Sequence, residues 1–138
     1  MAIEWSKALE CGDVEIDNAK KQLVDIINVI MRVSTDKQHI TFNKILVAGL
    51  SKSLGRLFFK EERLMQRHGY RDAREHGIQH RDILDAIDDY AGGETGIILQ
   101  TRSPTITIII GSLISHIESM DRPFAQFIQS RRKSYQSP

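Results

Sequence analysis

The sequence predicts an all-α fold, an antiparallel up-and-down bundle of four helices. Apolar residues recur at three- and four-residue spacing through four long segments, which is the period of helices with one buried face. Proline and glycine are scarce, 3 and 9 of 138 residues, and their positions punctuate the chain. Four amphipathic helices with short connections bury their apolar faces together, so this pattern is typical of a helical bundle.

The first helix is predicted over residues 18–35. Apolar residues such as Leu23 and Ile27 recur there at helical spacing, and Asp17 precedes them as the expected N-cap. The polar stretch that follows, residues 34–40, is predicted as a loop.

The second and third helices are predicted over residues 41–67 and 72–90. Gly69 lies just beyond the second helix, where glycine commonly ends one. The glycine-rich segment 91–96 breaks the chain after the third helix. The two apolar stripes consist of Leu46, Leu50, Leu54, Leu57, Leu64 and Met65, and of His76, His80, Ile83, Leu84 and Ile87.

The fourth helix is predicted over residues 104–130, although part of it is ambiguous. Residues 105–110 are mostly β-branched and taken alone favour a strand. The residues that follow have a helical period, which favours one long helix. That stripe continues through Leu113, His116, Ile117, Met120 and Phe124.

The length of 138 residues predicts a single domain. We expect residues 1–17 to form an N-terminal arm, residues 18–130 the bundle and residues 131–138 a frayed tail. With 41% hydrophobic and 27% charged residues, the chain can bury a core, which excludes a disordered or collagen-like class.

Charge and cysteine content exclude further classes. Lys and Arg total 19 against 18 acidic residues, so we expect no attraction to nucleic acid or to an anionic membrane. Cys11 is the one cysteine, which excludes an internal disulfide framework and cysteine-rich zinc sites. The most apolar run, residues 106–117, is shorter than the ~20 residues of a spanning helix. We therefore expect a cytoplasmic protein.

Chemistry-bearing residues lie on the apolar stripes. His76 and His80 are four positions apart and share one helix face, where two imidazoles can bind one metal ion. His116 lies in the fourth stripe, Asp121 follows five residues later, and Glu61 lies in the second stripe. Each alone is also compatible with a hydrogen-bonded core residue or a solvated one.

Taken together, these five residues indicate a metal site more strongly than any one of them does alone. Carboxylates that enter a core are normally paired or bound to a metal ion. Three inward histidines and two inward carboxylates on three helices meet that condition together, and this donor set suits iron, zinc or manganese.

Over residues 5–130 the sequence resembles the hemerythrin family. The family's N-terminal signature of Trp, Gly and Ile-Asp is similar to Trp5, Gly12 and Ile16-Asp17. The family's HFxxEExxM helix is similar to the segment that contains Phe58, Glu61-Glu62, Leu64 and Met65. Its GYP…HxxxH segment is similar to Gly69-Tyr70 and His76-x-x-x-His80, and its closing HxxxxD helix to His116-Ile117, Asp121-Arg-Pro-Phe124 and Phe127.

The resemblance implies a four-helix bundle that holds two irons. Glu61 and Asp121 correspond to carboxylates that bridge the metals, and His76, His80 and His116 to the ligands of one iron. The second iron, where O₂ binds, takes two further histidines. By this resemblance Phe58 and Phe124 pack beside the site.

Both histidines of the second iron are absent here. Lys20 stands at the first-helix ligand position and Leu57 precedes the motif phenylalanine. We interpret this as loss of one metal: Leu57 fills the pocket with apolar atoms, and Lys20 supplies a cation for the bridging carboxylates. The alternative is that Lys20 extends its ammonium to solvent.

The leading functional hypothesis is a non-haem protein with one iron per chain that senses or binds O₂, NO or redox state and does not carry O₂. Zinc or manganese fits the same ligands. The alternatives are a metal-free bundle that binds a protein partner, and a dinuclear O₂-binding protein with an altered second site. Nothing in the sequence resembles a catalytic pocket with a positioned acid or base. The sequence specifies neither a protein partner nor an oligomeric state.

Overall fold

The computed structural model describes residues 3–33, 40–91 and 103–136, and these residues contain helices and no strand. The elements are a 3-10 helix (Lys7–Leu9), α1 (Val14–Val33), α2 (Ile40–His68), α3 (Ala73–Ala91), α4 (Ser103–His116), a π-helical turn (Ile117–Asp121) and α5 (Arg122–Gln136).

The helices close into a four-helix bundle. Helix α1 packs against α2, α2 packs against α3, and α4 packs against α3 and α1. The predicted fold class is confirmed. No helix in the three described ranges is long and apolar enough to cross a bilayer.

The β-branched segment at residues 105–110 belongs to helix α4, as its longer context predicted. The local preference of isoleucine and threonine against a helix is only tenths of a kcal/mol per residue. Burial of Ile109, Ile110 and Leu113 in the core contributes more, about 1.5–3 kcal/mol for each fully buried side chain. Tertiary packing therefore decides the conformation.

The start of α1 differs from the prediction. The Ile16 backbone N–H donates to Asp13 Oδ1 at 3.1 Å, so Asp13 is the N-cap and the helix begins at Val14. Asp17 instead accepts the backbone N–H groups of Cys11 at 2.9 Å and Gly12 at 3.0 Å. The assignment of Asp17 as N-cap was wrong, because its carboxylate holds the N-terminal arm against the bundle.

Helix α2 ends at His68, beside the predicted Gly69. Gly69 has a φ of 61°, a left-handed conformation that glycine adopts without strain. The Tyr70 N–H donates to the Met65 carbonyl at 2.9 Å and the Gly69 N–H to the Gln66 carbonyl at 3.3 Å. These two bonds form a Schellman motif, which reverses the chain into α3.

The N-terminal segment packs along the bundle from residue 3 onward. The backbone N–H and carbonyl of Ile3 exchange hydrogen bonds of 3.0 Å with the Asn28 side chain, and Leu9 is buried. Helix α5 continues to Gln136, beyond the predicted end at residue 130. The predicted connections at residues 34–39 and 92–96 lie outside the described residues.

Candidate metal centre

Three histidines and one carboxylate meet in the middle of the bundle. One donor atom from each of His76, His80, His116 and Asp121 lies within 4.8 Å of the other three, and all four side chains are buried. His76 and His80 reach the cluster together because they are one turn apart on α3. The structure thus brings together the histidines that the sequence placed on two separate stripes.

The π-helical turn brings His116 and Asp121 to the same side of their helix. Residues five positions apart in an α-helix point about 140° away from each other. A π turn has i→i+5 hydrogen bonds, so residues five apart lie one above the other. Accordingly His116 Nε2 lies 3.0 Å from Asp121 Oδ1. The sequence predicted an uninterrupted helix here, and the π turn is the feature it missed.

Glu61 approaches the histidines from α2. Its Oε2 lies 3.6 Å from His76 Nε2 and 3.7 Å from His80 Nε2. Asp121 Oδ1 lies 2.9 Å from His76 Nε2, within hydrogen-bond distance. Each carboxylate therefore directs one oxygen to the imidazoles.

The second oxygen of each carboxylate faces Lys20. The Lys20 ammonium has no exposed surface and lies 3.6 Å from Glu61 Oε1 and 3.5 Å from Asp121 Oδ2. The alternative in which Lys20 extends to solvent is wrong. Glu61 and Asp121 thus lie between three imidazoles on one side and an ammonium on the other.

Two of the three imidazoles, those of His76 and His80, are neutral because their pKa values lie below the usual one. Burial, reinforced by His76 and His116, lowers the pKa of His80 to about 2. Burial also lowers the pKa of His76. Neutral imidazole is the form that binds a metal ion, so no proton has to leave these rings first.

The charged groups balance one another. Burial opposes the charge of Lys20, but Asp121 and Glu61 outweigh that cost and raise its pKa. Burial likewise opposes ionised Asp121, whose pKa is nevertheless held well below its usual range by Lys20 and the imidazoles. Burial and the Asp121 charge raise the pKa of Glu61 well above its usual range. The pKa values of the two carboxyl groups are therefore shifted in opposite directions, and Glu61 is the one whose protonated form is favoured.

The outer nitrogens of two imidazoles are hydrogen-bonded away from the centre. His80 Nδ1 donates to Glu62 Oε2 at 3.2 Å, and His116 Nδ1 to Gln79 Oε1 at 3.0 Å. This assignment follows from the acceptors, because a carboxylate and an amide oxygen accept and do not donate. The lone pair of each ring then lies on Nε2, toward the cluster.

Several buried atoms of the cluster find no hydrogen-bond partner among the described residues. They include Nε2 of His80, Nε2 of His116 and both side-chain oxygens of Glu61. Unpaired buried polar atoms are costly, and these converge on one another. Neutral imidazoles held by outer hydrogen bonds, with carboxylates beside them, are the donor set of a hard or borderline divalent metal ion. The residues present fit such an ion.

Glu62 and Gln79 were missed as contacts of the histidines. Glu62 is half-buried and directly follows Glu61, and a glutamate at such a position is of ordinary surface type. Gln79 precedes His80 but contacts His116, 37 residues away. No local pattern predicts a contact between two helices at that separation.

Two phenylalanines pack on the rings. Phe58 stacks on His80 with centroids 3.7 Å apart and an interplanar angle of 6°. Phe124 meets His76 edge-on at 6.0 Å. Leu57 is buried one turn before Glu61 on α2. These apolar side chains therefore cover part of the polar centre, whose own side chains are buried.

Curated proteins similar to this chain bear the name bacteriohemerythrin. One from Pseudomonas paraeruginosa is 28% identical over 86 residues, which is 62% of this chain and 56% of the relative. Two from strains of Pseudomonas aeruginosa match with the same identity and coverage. The chain thus spans little more than half the length of these relatives. No protein-family model matches the chain, and no solved structure does. The similarity, the helical bundle and the histidine–aspartate cluster support a hemerythrin-like family.

Proposed function

We propose that this chain is a hemerythrin-like protein that binds one iron ion and responds to O₂, NO or redox state. The proposal rests mainly on the orientation of the two carboxylates of Glu61 and Asp121. In each of them one oxygen faces the imidazoles and the other faces Lys20. The proposed ligands are His76, His80, His116, Glu61 and Asp121.

Lys20 takes the place of a second metal ion in this proposal. Bridging carboxylates between two irons are stabilised by a cation on each side. Lys20 retains a cation on the side where the sequence lacks both histidines, and its protonated amine has no lone pair to bind a metal. Buried Leu57 leaves apolar atoms where the resemblance implies an imidazole.

Formal charge is the same in the two kinds of site. Two ferrous ions, two carboxylates and a bridging hydroxide sum to 4 − 2 − 1 = +1. One ferrous ion, two carboxylates and Lys20 sum to 2 − 2 + 1 = +1. The raised pKa of Glu61 favours its protonated form, so a metal ion competes with a proton for this carboxylate and we expect uptake of metal to release protons.

Lys20 also limits how the carboxylates bind. Because Glu61 Oε1 and Asp121 Oδ2 face the ammonium, each carboxylate has one oxygen left for a metal ion. Three imidazole nitrogens and two carboxylate oxygens would therefore offer five donors to a metal ion. A ferrous ion held by them would supply a redox-active Lewis acid that can bind a small ligand.

Metal analysis after anaerobic loading with ferrous salt tests the proposal. We expect one iron per chain, no oxo-bridged diiron bands in air, and a nitrosyl spectrum when NO is added. Two irons per chain would overturn the replacement by Lys20 and favour a dinuclear O₂-binding protein. Zinc or manganese in place of iron would overturn the redox role.

Absence of bound metal would favour the alternative of a metal-free bundle that binds a protein partner. The diatomic ligand, the partner and the cytoplasmic location stay predictions until they are measured.

A further inference from the structure

We propose that Glu62 is a positioning residue for His80 and that Gly77 provides the space its carboxylate needs. Glu62 lies on α2 and reaches across to α3, where its Oε2 accepts the Nδ1–H of His80 at 3.2 Å. The proposal rests on the proposed function, since His80 is one of the proposed ligands. Glu62 acts through that imidazole and contacts no metal itself.

Gly77 lies where a side chain would press on this carboxylate and require it to shift. A Cβ at Gly77 would be 3.0 Å from Glu62 Oε1 and 3.7 Å from its carboxyl carbon. A Cβ at Gly111, also inside a helix, meets nothing within 4 Å. Glycine in a helix interior costs about 1 kcal/mol relative to alanine, so Gly77 is unfavourable for α3 taken alone. The bare backbone at Gly77 admits one oxygen of Glu62 while the other reaches His80.

The contact determines three properties of His80. It fixes the proton on Nδ1, so the lone pair is on Nε2 toward the cluster. The hydrogen bond fixes the direction in which Nδ1 points, while the stacked Phe58 ring fixes the plane of the imidazole. An anionic acceptor also makes the imidazole a stronger donor to a metal ion.

The three imidazoles differ in this respect. His116 has the neutral acceptor Gln79, and Nδ1 of His76 is buried without a partner among the described residues. His80 has the anionic acceptor. Loss of Glu62 should therefore affect His80 alone, which a spectrum that resolves individual histidines can detect.

The test uses E62A, E62Q and G77A with two readouts. The first is the ¹⁵N shift of the His80 ring in the metal-free protein, which reports its tautomer. The second is the affinity for Zn²⁺ and Fe²⁺ in competition with a chelator. We expect E62A to mix the two tautomers and weaken binding about 10–100-fold, the usual effect of losing an outer partner. E62Q keeps an acceptor without its charge, so its tautomer should persist with a smaller loss of affinity.

G77A should displace the carboxylate and weaken binding, and it should add nothing in the E62A background, where no carboxylate is left to displace. E75A and G111A are the matched controls: Glu75 is exposed just before His76, and Gly111 borders open space. Wild-type tautomer and affinity in E62A would overturn the proposal, as would additive losses in the double variant. If the wild type binds no metal, the proposed function fails while the tautomer still tests Glu62.

Discussion

The two sides of the Glu61–Asp121 pair present the carboxylates with different chemistry. On one side lie three imidazoles, and burial lowers the pKa values of two of them, His76 and His80. On the other side Lys20 offers a charge and no lone pair, between the two carboxylate oxygens. In the proposed site, each of the two carboxylates would then have a positive charge at both ends, from the metal ion on the histidine side and from the Lys20 ammonium on the other.

The largest expected effect is on the histidine side. H76A removes the imidazole that lies 2.9 Å from Asp121 and 3.6 Å from Glu61. We expect the iron content to fall from one per chain to near zero, a greater loss than the about 10–100-fold of an outer partner. Metal analysis after ferrous loading measures it. H68A, at a half-buried histidine outside the cluster, should bind iron as the wild type does.

Two substitutions should convert the Lys20 side of the carboxylate pair into a second metal-binding position. The K20H/L57H double variant restores both imidazoles that the resemblance implies for the second iron. We expect two irons per chain and oxo-bridged diiron bands in air, with K20H or L57H alone giving fewer than two. A double variant that still binds one iron would contradict our account of how the second site was lost.

K20A tests the ammonium itself. Removing one partner of a buried ion pair leaves uncompensated charge and typically costs about 3–5 kcal/mol. We expect that loss in the free energy of unfolding of the metal-free protein, measured with denaturant. K21A is the control, because Lys21 is 46% exposed and its pair with Glu10 should contribute less than about 1 kcal/mol. Equal losses in the two variants would mean that Lys20 is not required.

The smallest expected effect concerns Cys11, next to the lysine side. Burial raises the pKa of its thiol from 9.0 to about 12. Between these values the unfolded chain loses a proton that the folded chain keeps, so stability falls as pH rises. The loss is at most about 1.4 kcal/mol per pH unit. Unfolding free energies at pH 8 and pH 10 should diverge between wild type and C11A, with the wild type losing more. Parallel losses would contradict a protonated thiol.

The sequence predicted the features that depend on periodicity. Helical spacing was enough to find the bundle and to place His76 beside His80, because both follow from 3.6 residues per turn. The N-cap was mistaken because Asp13 and Asp17 are both capping residue types one turn apart. Contacts of Asp17 with the backbone of the N-terminal arm decide between them, and these are tertiary.

The parts of the site that escaped prediction depend on contacts between helices or on a departure from helical period. The π turn changes the direction of Asp121, which no apolar spacing signals. The outer partners Glu62 and Gln79 are polar residues of ordinary surface type. Only the packing of α2 on α3, and of α3 on α4, brings them to an imidazole.

Lys20 is joined to the backbone, and this bears on how the site responds to metal supply. In a site that binds two metal ions through shared ligands, both ions come from solution, and binding of the first ion changes the affinity for the second. A tethered ammonium has a fixed effective concentration at its position, whatever the amount of metal in solution. In the proposed site one position alone fills from solution, so its occupancy should follow a simple hyperbola in free ferrous ion. The iron content of the proposed site would then rise gradually with the free ferrous concentration, without a threshold.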